Sequence, residues 1–406
     1  MSRKRAIIGA IVLSMVISVL TFTITNVVSL TMGDKVIVAK GDYQYLQGLN
    51  KSYKKLLGLR NYIETSYYKP TDQDKFEDGM IEGMFASLND PYSVYMGKKE
   101  FEDFMVHTTG TYGGIGVIMT RANDGFITVV EPMQDSPGEK VGMKSGDKIV
   151  KVNDEEVTAD KLDEAVAMIK GKPGTKVNLT IIREGKEEPF SLELKRENIR
   201  LKTVRSRVLD DGIGYIRISM FDELTAKDFN DHLKKLEKQN IKGLIIDLRY
   251  NPGGLLDQCV KIADKLLGKQ VIVYTQDRSG ERDYKRSDGK QVKYPYVLLV
   301  NEGSASASEI LSGAVKDTKS GTLIGTTTFG KGLVQQVKSL NDGTGFKLTT
   351  AQYFTPNGTY IHGKGIEPNI VIEMPENLKN RIDLTDEEDV QLQKGIEVLQ
   401  QKIFKE

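Results

Sequence analysis

From residue 6 to residue 32 the chain carries no charged side chain, and apolar residues leave no polar face on a helix drawn through the run. Such a run is long enough to cross the hydrocarbon core of a bilayer. The pattern then becomes amphipathic. Leu46, Leu49, Tyr53, Leu56, Leu57 and Ile63 recur at helical spacing among lysines and asparagine, which predicts a half-polar helix. Residues 80–88 predict a second helix, stopped by Asn89-Asp90-Pro91. Between about 105 and 197 the period shortens to that of strands, at 112–118, 126–130, 148–152 and 177–182, the last expected to close the sheet. Turns at Ser136-Pro137-Gly138 and 143–147 separate them, and Leu162, Ala165, Val166 and Ile169 form one helix face. From Asp210 strands and helices alternate. Residues 213–218 read as a strand and 225–239 as a helix capped by Thr225. Residues 243–248, 294–300 and 323–325 are apolar runs of the buried-strand kind, and 308–316 reads as a helix. These features predict a layered α/β core.

Charge adds a location. Ser2-Arg3-Lys4-Arg5 is a basic cluster ahead of the apolar run, and 27–33 contains no Ala-x-Ala cleavage pattern. An uncleaved single-pass anchor is expected, with the cluster in the cytoplasm and the body outside. Over the whole chain, 57 Lys and Arg balance 56 Asp and Glu, which argues against electrostatic recruitment of nucleic acid. The single cysteine, Cys259, excludes an intrachain disulfide and builds no zinc site. It reads as a small buried residue in the helical pattern 255–260. No metal or cofactor is expected.

Ser306 lies in Gly303-Ser304-Ala305-Ser306-Ala307-Ser308-Glu309, past the end of an apolar strand and at the start of a helix. A serine hydroxyl needs a base to become a nucleophile. Lys331, in Thr328-Phe329-Gly330-Lys331-Gly332, can be that base if burial lowers its pKa. The histidines, His107, His232 and His362, stand in polar stretches and read as solvated, so a serine–histidine–aspartate triad is poorly supported. Arg249-Tyr250-Asn251-Pro252-Gly253-Gly254 follows a buried strand, and its amides with that of Ala307 can form an oxyanion hole. Ser304 and Ser308 remain alternatives to Ser306 at this level.

The stretch 105–197 resembles a PDZ domain. Gly114-Ile115-Gly116-Val117 has the form of the loop whose amides hold a peptide carboxylate, and Leu162, Val166 and Ile169 would face the bound peptide. The set taken together resembles the carboxyl-terminal processing peptidases, the tail-specific serine–lysine peptidases of family S41. The carrying segments are Asp90-Pro91-Tyr92-Ser93, the PDZ-like stretch, 245–254, 303–309, 328–335, Thr355-Pro356-Asn357-Gly358 and 363–368, all in the family's order.

The resemblance implies an α/β peptidase core with crotonase/ClpP-like layering, an inserted PDZ domain, and helical elements at both ends. The implied division is 1–34 anchor, 35–100 helical region, 105–197 PDZ domain, 198–375 peptidase core and 376–406 helical region. It implies Ser306 as nucleophile, Lys331 as general base and Gln335 as the residue orienting that lysine. Gly253 and Ala307 are the implied oxyanion amides, with Gly254 an alternative. Substrates would be proteins with exposed apolar C-terminal tails, and the 46–63 helix suggests a homodimer. Two positions depart from the family pattern, Tyr250 where asparagine is frequent and Lys170 where arginine is frequent. The competing readings are a PDZ adaptor with a dead core, which would be free to lose Ser306 or Lys331, and a crotonase-like acyl-CoA enzyme, which needs neither an anchor nor a tail-binding module.

Overall fold

The computed structural model describes residues 3–26, 31–32, 35–36, 38–379, 381 and 384–404. It divides into two compact units, 1–84 and 85–406. The region 27–33, where a cleavage pattern was sought, lies mostly outside the described residues, as does Ser2.

In the first unit, Arg3–Asn26 is one helix, apolar and long enough over Arg3–Phe22 to cross a membrane. Helix Lys40–Ser66 follows and buries none of its residues. Its expected stripe of Leu46, Leu49, Tyr53, Leu56, Leu57 and Ile63 is exposed throughout. Helix Gln73–Ala86 begins well before the expected start at 80. Asp72 initiates it by accepting from the amides of Asp74 and Lys75.

In the second unit, the segment 111–200 folds round a main sheet, with Thr111–Gly114 and Glu197–Arg200 paired as a separate ladder. The order of the main sheet is Phe190–Lys195, Lys176–Ile182, Lys148–Val152, Ile127–Pro132 and Val117–Arg121, with Glu155–Glu156 paired beside Lys148–Val152. Lys176–Ile182 is therefore an inner strand, since Phe190–Lys195 pairs outside it. Val117–Arg121 is an edge strand. Ile127, Val129, Ile149, Leu179, Ile181 and Ala165 form the core beneath helix Leu162–Ile169. The strand expected over 112–118 is broken at Ile115-Gly116, because Gly116 takes φ +65° and turns the chain.

The remaining core is built on a six-stranded sheet. Its order is Val204–Leu209, Ile213–Ile218, Gly243–Asp247, Tyr296–Val300, Thr322–Gly325 and Ile370–Val371. Only the first pair is antiparallel. The apolar runs are continuous because both faces are covered. Leu244, Ile246 and Leu298 pack under helices Thr225–Glu237, Leu256–Leu266 and Ala307–Thr318. Ile245, Val297 and Leu299 pack under Val390–Ile403. Thr225 is the first helical residue rather than the cap. Its hydroxyl accepts from the Asp222 amide, and Asp222 Oδ1 accepts from Leu224.

A second, antiparallel sheet of Arg282–Arg286, Val271–Asp277, Gly345–Phe354 and Leu333–Ser339 stands beside the first. Val94–Met96 adds to Gly345–Phe354, so the segment after residue 90, grouped by sequence with the helical region, contributes a strand to the core.

Candidate active site

The parallel strands end in loops on one side, and two of those loops meet. Asn251 is fully buried and fixes the meeting point. Its carbonyl accepts from the Ala305 amide and the Ser308 hydroxyl, and its side chain bonds Ile218 O and Gly253 N–H. Gly253 takes φ +104°, and a Cβ there would lie 2.8 Å from Ser306 Cβ. A side chain would push the two loops apart. Tyr250 also sits in the left-handed region at φ +59°, which asparagine tolerates better than tyrosine.

Three serines share the 303–309 segment, and the structure separates them. Ser304 Oγ donates to Leu248 O at 2.8 Å and accepts from Asn301 N–H at 3.0 Å. Ser308 Oγ donates to Asn251 O at 3.0 Å. Both residues are fully buried, so their hydroxyls are spent on the backbone. Ser306 is partly exposed and lines a cleft with Lys331, Gln335, Gly253, Gly254 and Ala307. Its backbone is at φ +54°, ψ −112°, immediately before helix Ala307–Thr318. That strained strand-to-helix turn is a geometry that lifts a nucleophile's oxygen clear of its own chain.

What holds the strain is Glu309, which the motif reading did not single out. Its carboxylate is fully buried. Oε2 accepts from the amides of Ser306 at 2.9 Å and Lys331 at 2.7 Å. Oε1 accepts from Thr328 Oγ1 at 2.6 Å and Gly330 N–H at 2.7 Å. The Glu309 amide in turn bonds the Ser306 carbonyl at 2.9 Å. One carboxylate thus ties the serine turn to the lysine loop. Its sequence signal was a charged residue followed directly by Ile310 and Leu311 in a helix of small and apolar residues.

Lys331 is half-buried. Burial lowers its pKa, Lys347 lowers it further, and Asp90 and Glu309 pull the other way. Its ammonium lies 4.6 Å from the centre of the Tyr92 ring, and among the described residues no hydrogen bond joins it to Ser306. Gln335 is on strand Leu333–Ser339, opposite Thr349, and donates to Thr349 Oγ1 at 3.3 Å. Among the described residues no hydrogen bond joins Gln335 to Lys331; the side chain reaches the paired strand instead.

The oxyanion candidates divide similarly. The Gly253 amide is committed to Asn251 Oδ1 at 2.9 Å. No acceptor pairs with the amides of Ala307 or Gly254 among the described residues. His107 is exposed, as expected, at the lining of the cleft, whereas His232 is half-buried with Nδ1 2.6 Å from Ser206 Oγ, unlike the solvated residue expected. His362 rests beside Tyr92 with its Nδ1 buried.

At the PDZ-like sheet, the amides of Ile115 and Gly116 have no acceptor among the described residues. They adjoin the open edge of Val117–Arg121. Ile115 and Val117 point their side chains into the core, leaving only backbone to a ligand. Leu162 and Val166 are half-buried, whereas Ile169 is 4% exposed and packs into the core. Ile169 is thus not open to a peptide, because the helix turns the 165 and 169 positions inward together.

The sequence profile of Peptidase family S41 matches residues 212–372, that of the PDZ domain 113–194, and that of the Activating protease CtpB N-terminal domain 15–100. The chain is 40% identical over 371 residues to the carboxy-terminal processing protease CtpA of Bacillus subtilis (strain 168), covering 91% of this chain and 77% of that one. It is 40% identical over 332 residues to CtpB of the same strain, covering 80% and 69%. Among solved structures, a photosystem II D1 C-terminal processing protease is 28% identical, with 83% and 95% covered and a TM-score of 0.47. With a PDZ domain ahead of its peptidase core, the chain belongs to the carboxy-terminal processing serine proteases of peptidase family S41.

Proposed function

We propose that this protease is anchored in the cell membrane by the helix Arg3–Asn26, faces away from the cytoplasm, and cleaves through a Ser306–Lys331 dyad. The observation that carries the dyad is the Glu309 carboxylate, which bonds the amides of both residues. Ser306 attacks the scissile carbonyl, Lys331 takes its proton, and an acyl-enzyme forms and is hydrolysed. Ala307 and Gly254 supply the oxyanion amides, with Gly253 as the spacer that lets the loops close. Gln335 acts on Lys331 after a side-chain rotation, since it already lines the same cleft.

The PDZ domain selects the substrate. The free amides of Ile115 and Gly116 receive a terminal carboxylate, the edge strand receives the tail as an added strand, and Leu162 and Val166 receive an apolar side chain. The two faces of the buried sheet support a crotonase/ClpP-like layering. The domains are taken as 1–34, 35–100, 105–197, 198–375 and 376–406. The exposed stripe of helix Lys40–Ser66 supports pairing with a second copy.

The test is incubation with an unfolded protein carrying an apolar C-terminus. Wild type should degrade it, while Ser306→Ala and Lys331→Ala should each fail without losing their fold, with effects that do not add. Amidating the substrate's terminus should weaken binding to Ser306→Ala by roughly tenfold to a hundredfold, the loss expected when buried donors go unpaired. Equal binding of acid and amide would remove the PDZ loop from recognition. Protease added to intact spheroplasts should reach the body; complete protection until lysis would reverse the orientation.

A further inference from the structure

Tyr353 lies on strand Gly345–Phe354 and is 1% exposed. Its amide bonds the carbonyl of Gly332, next to Lys331, at 3.1 Å. Its side chain lines the cleft with Ser306 and Gly253, and its hydroxyl has no hydrogen-bond partner among the described residues. Buried polar atoms are nearly always paired, and leaving one unpaired is costly. A phenylalanine would fill the same space without that cost. The strand therefore keeps an O–H where packing alone argues against one.

The Ser306 hydroxyl shares that cleft and is among the groups that act on the phenol. Burial drives the phenol's pKa well above the ordinary tyrosine range, the Glu309 carboxylate adds to that, and Ser306 opposes it only in part. The phenol keeps its proton across the neutral range, so it stands ready as a donor.

We propose that Tyr353 is a further catalytic residue, donating its O–H to Ser306 Oγ. The proposal rests on Ser306 being the nucleophile. Accepting that bond leaves the serine's own hydrogen free to face Lys331. During acylation Lys331 takes this hydrogen, Oγ bonds to the substrate carbonyl carbon, the scissile C–N bond breaks, and the leaving amine takes the proton from Lys331. During deacylation a water bonds to the acyl carbon and gives a proton to Lys331. The Oγ–carbon bond then breaks with its electron pair returning to Oγ, and Lys331 passes that proton to Oγ. Tyr353 holds its hydrogen bond to Oγ in both steps and never gives up its proton. The tyrosine acts on Oγ alone, so substrate affinity is not its concern.

Wild type, Tyr353→Phe and Ser306→Ala are compared as full chains in three measurements: peptide cleavage, labelling rate with a fluorophosphonate, and thermal midpoint. Tyr353→Phe should lower kcat by roughly tenfold to a hundredfold, the effect of one hydrogen bond to a reacting oxygen. KM should stay within about twofold, labelling should slow in step with kcat, and the midpoint should change little, because phenylalanine fills the same space. Wild-type kcat in Tyr353→Phe overturns the proposal. A lowered midpoint with kcat falling only as the folded fraction falls overturns it too, by making the hydroxyl structural. Labelling and cleavage surviving in Ser306→Ala would instead defeat the assignment of the nucleophile, which keeps the two failures apart.

Discussion

As the base proposed for Ser306, Lys331 must shed its charge before it can accept a proton, and its neighbours decide at what pH it does so. Burial is the largest influence and lowers its pKa below the ordinary 10.5, with Lys347 adding to the effect. Activity should climb with pH as the amine becomes neutral, along a limb centred below that value. Lys347→Gln removes a like charge, raises the pKa and moves the limb to higher pH. Asp90→Asn removes a carboxylate that favours the ammonium and moves the limb lower. Profiles of kcat/KM against pH decide this, and a limb unmoved by either change would belong to another group. Glu309 acts on the same lysine differently, by position. Glu309→Gln keeps the shape but exchanges one acceptor oxygen for an N–H pair facing donors from Ser306, Gly330, Lys331 and Thr328. Stability should fall by about 2–3 kcal/mol, the order of cost of orphaned buried donors beside a lost charge. Denaturant unfolding measures this, and cleavage should fall further than the folded fraction explains. An unchanged unfolding midpoint would mean that the two loops are held together by something else.

Elements differ in how plainly the sequence announces them. The parallel strands were legible because burial on both faces makes them unbroken apolar runs, as in Gly243–Asp247 and Tyr296–Val300. The interest of Ser306 and Lys331 as a pair was legible because each sits in a compact motif of glycines and small residues, and the structure sets both on one cleft. The antiparallel sheet was not, since strands such as Leu333–Ser339 are half-covered and carry Gln335, Gln336 and Lys338, so only the distant partner Gly345–Phe354 makes them strands. Tyr353 and Glu309 escaped notice for the same reason: their importance comes from contacts with other segments.

Helix Lys98–Thr109 shows how two elements can communicate. Its Phe104, His107 and Thr108 line the catalytic cleft, and its Asp103 receives Lys170 Nζ at 3.3 Å, at the end of the PDZ helix. The pair is about half exposed, and such pairs contribute about 0–1 kcal/mol. Lys170→Gln should therefore change the ratio of cleavage rates for acid-tailed and amidated substrates by no more than about fivefold. A larger change would show that lysine carries a switch of its own, beyond this ion pair.

At the scale of the whole molecule, the glycine loop is held from far along the chain. Arg249 is gripped by Asp247, at the end of the preceding strand, and by both oxygens of Asp389, 140 positions later. Asp389 also caps helix Val390–Ile403 by accepting from the Leu392 amide. The arrangement has a meaning in time as well as in space. A ribosome delivers Ser306 and Lys331 well before it delivers Asp389. Until helix Val390–Ile403 docks, Arg249 lacks half of its partners, and a buried cation left so is strongly unfavourable. The loop beside Ser306 should therefore be finished late, after helix Val390–Ile403 has docked. Stalled chains released after residue 388 should fail to react with a fluorophosphonate, whereas full chains should react; equal labelling would mean that the loop closes without waiting for the helix.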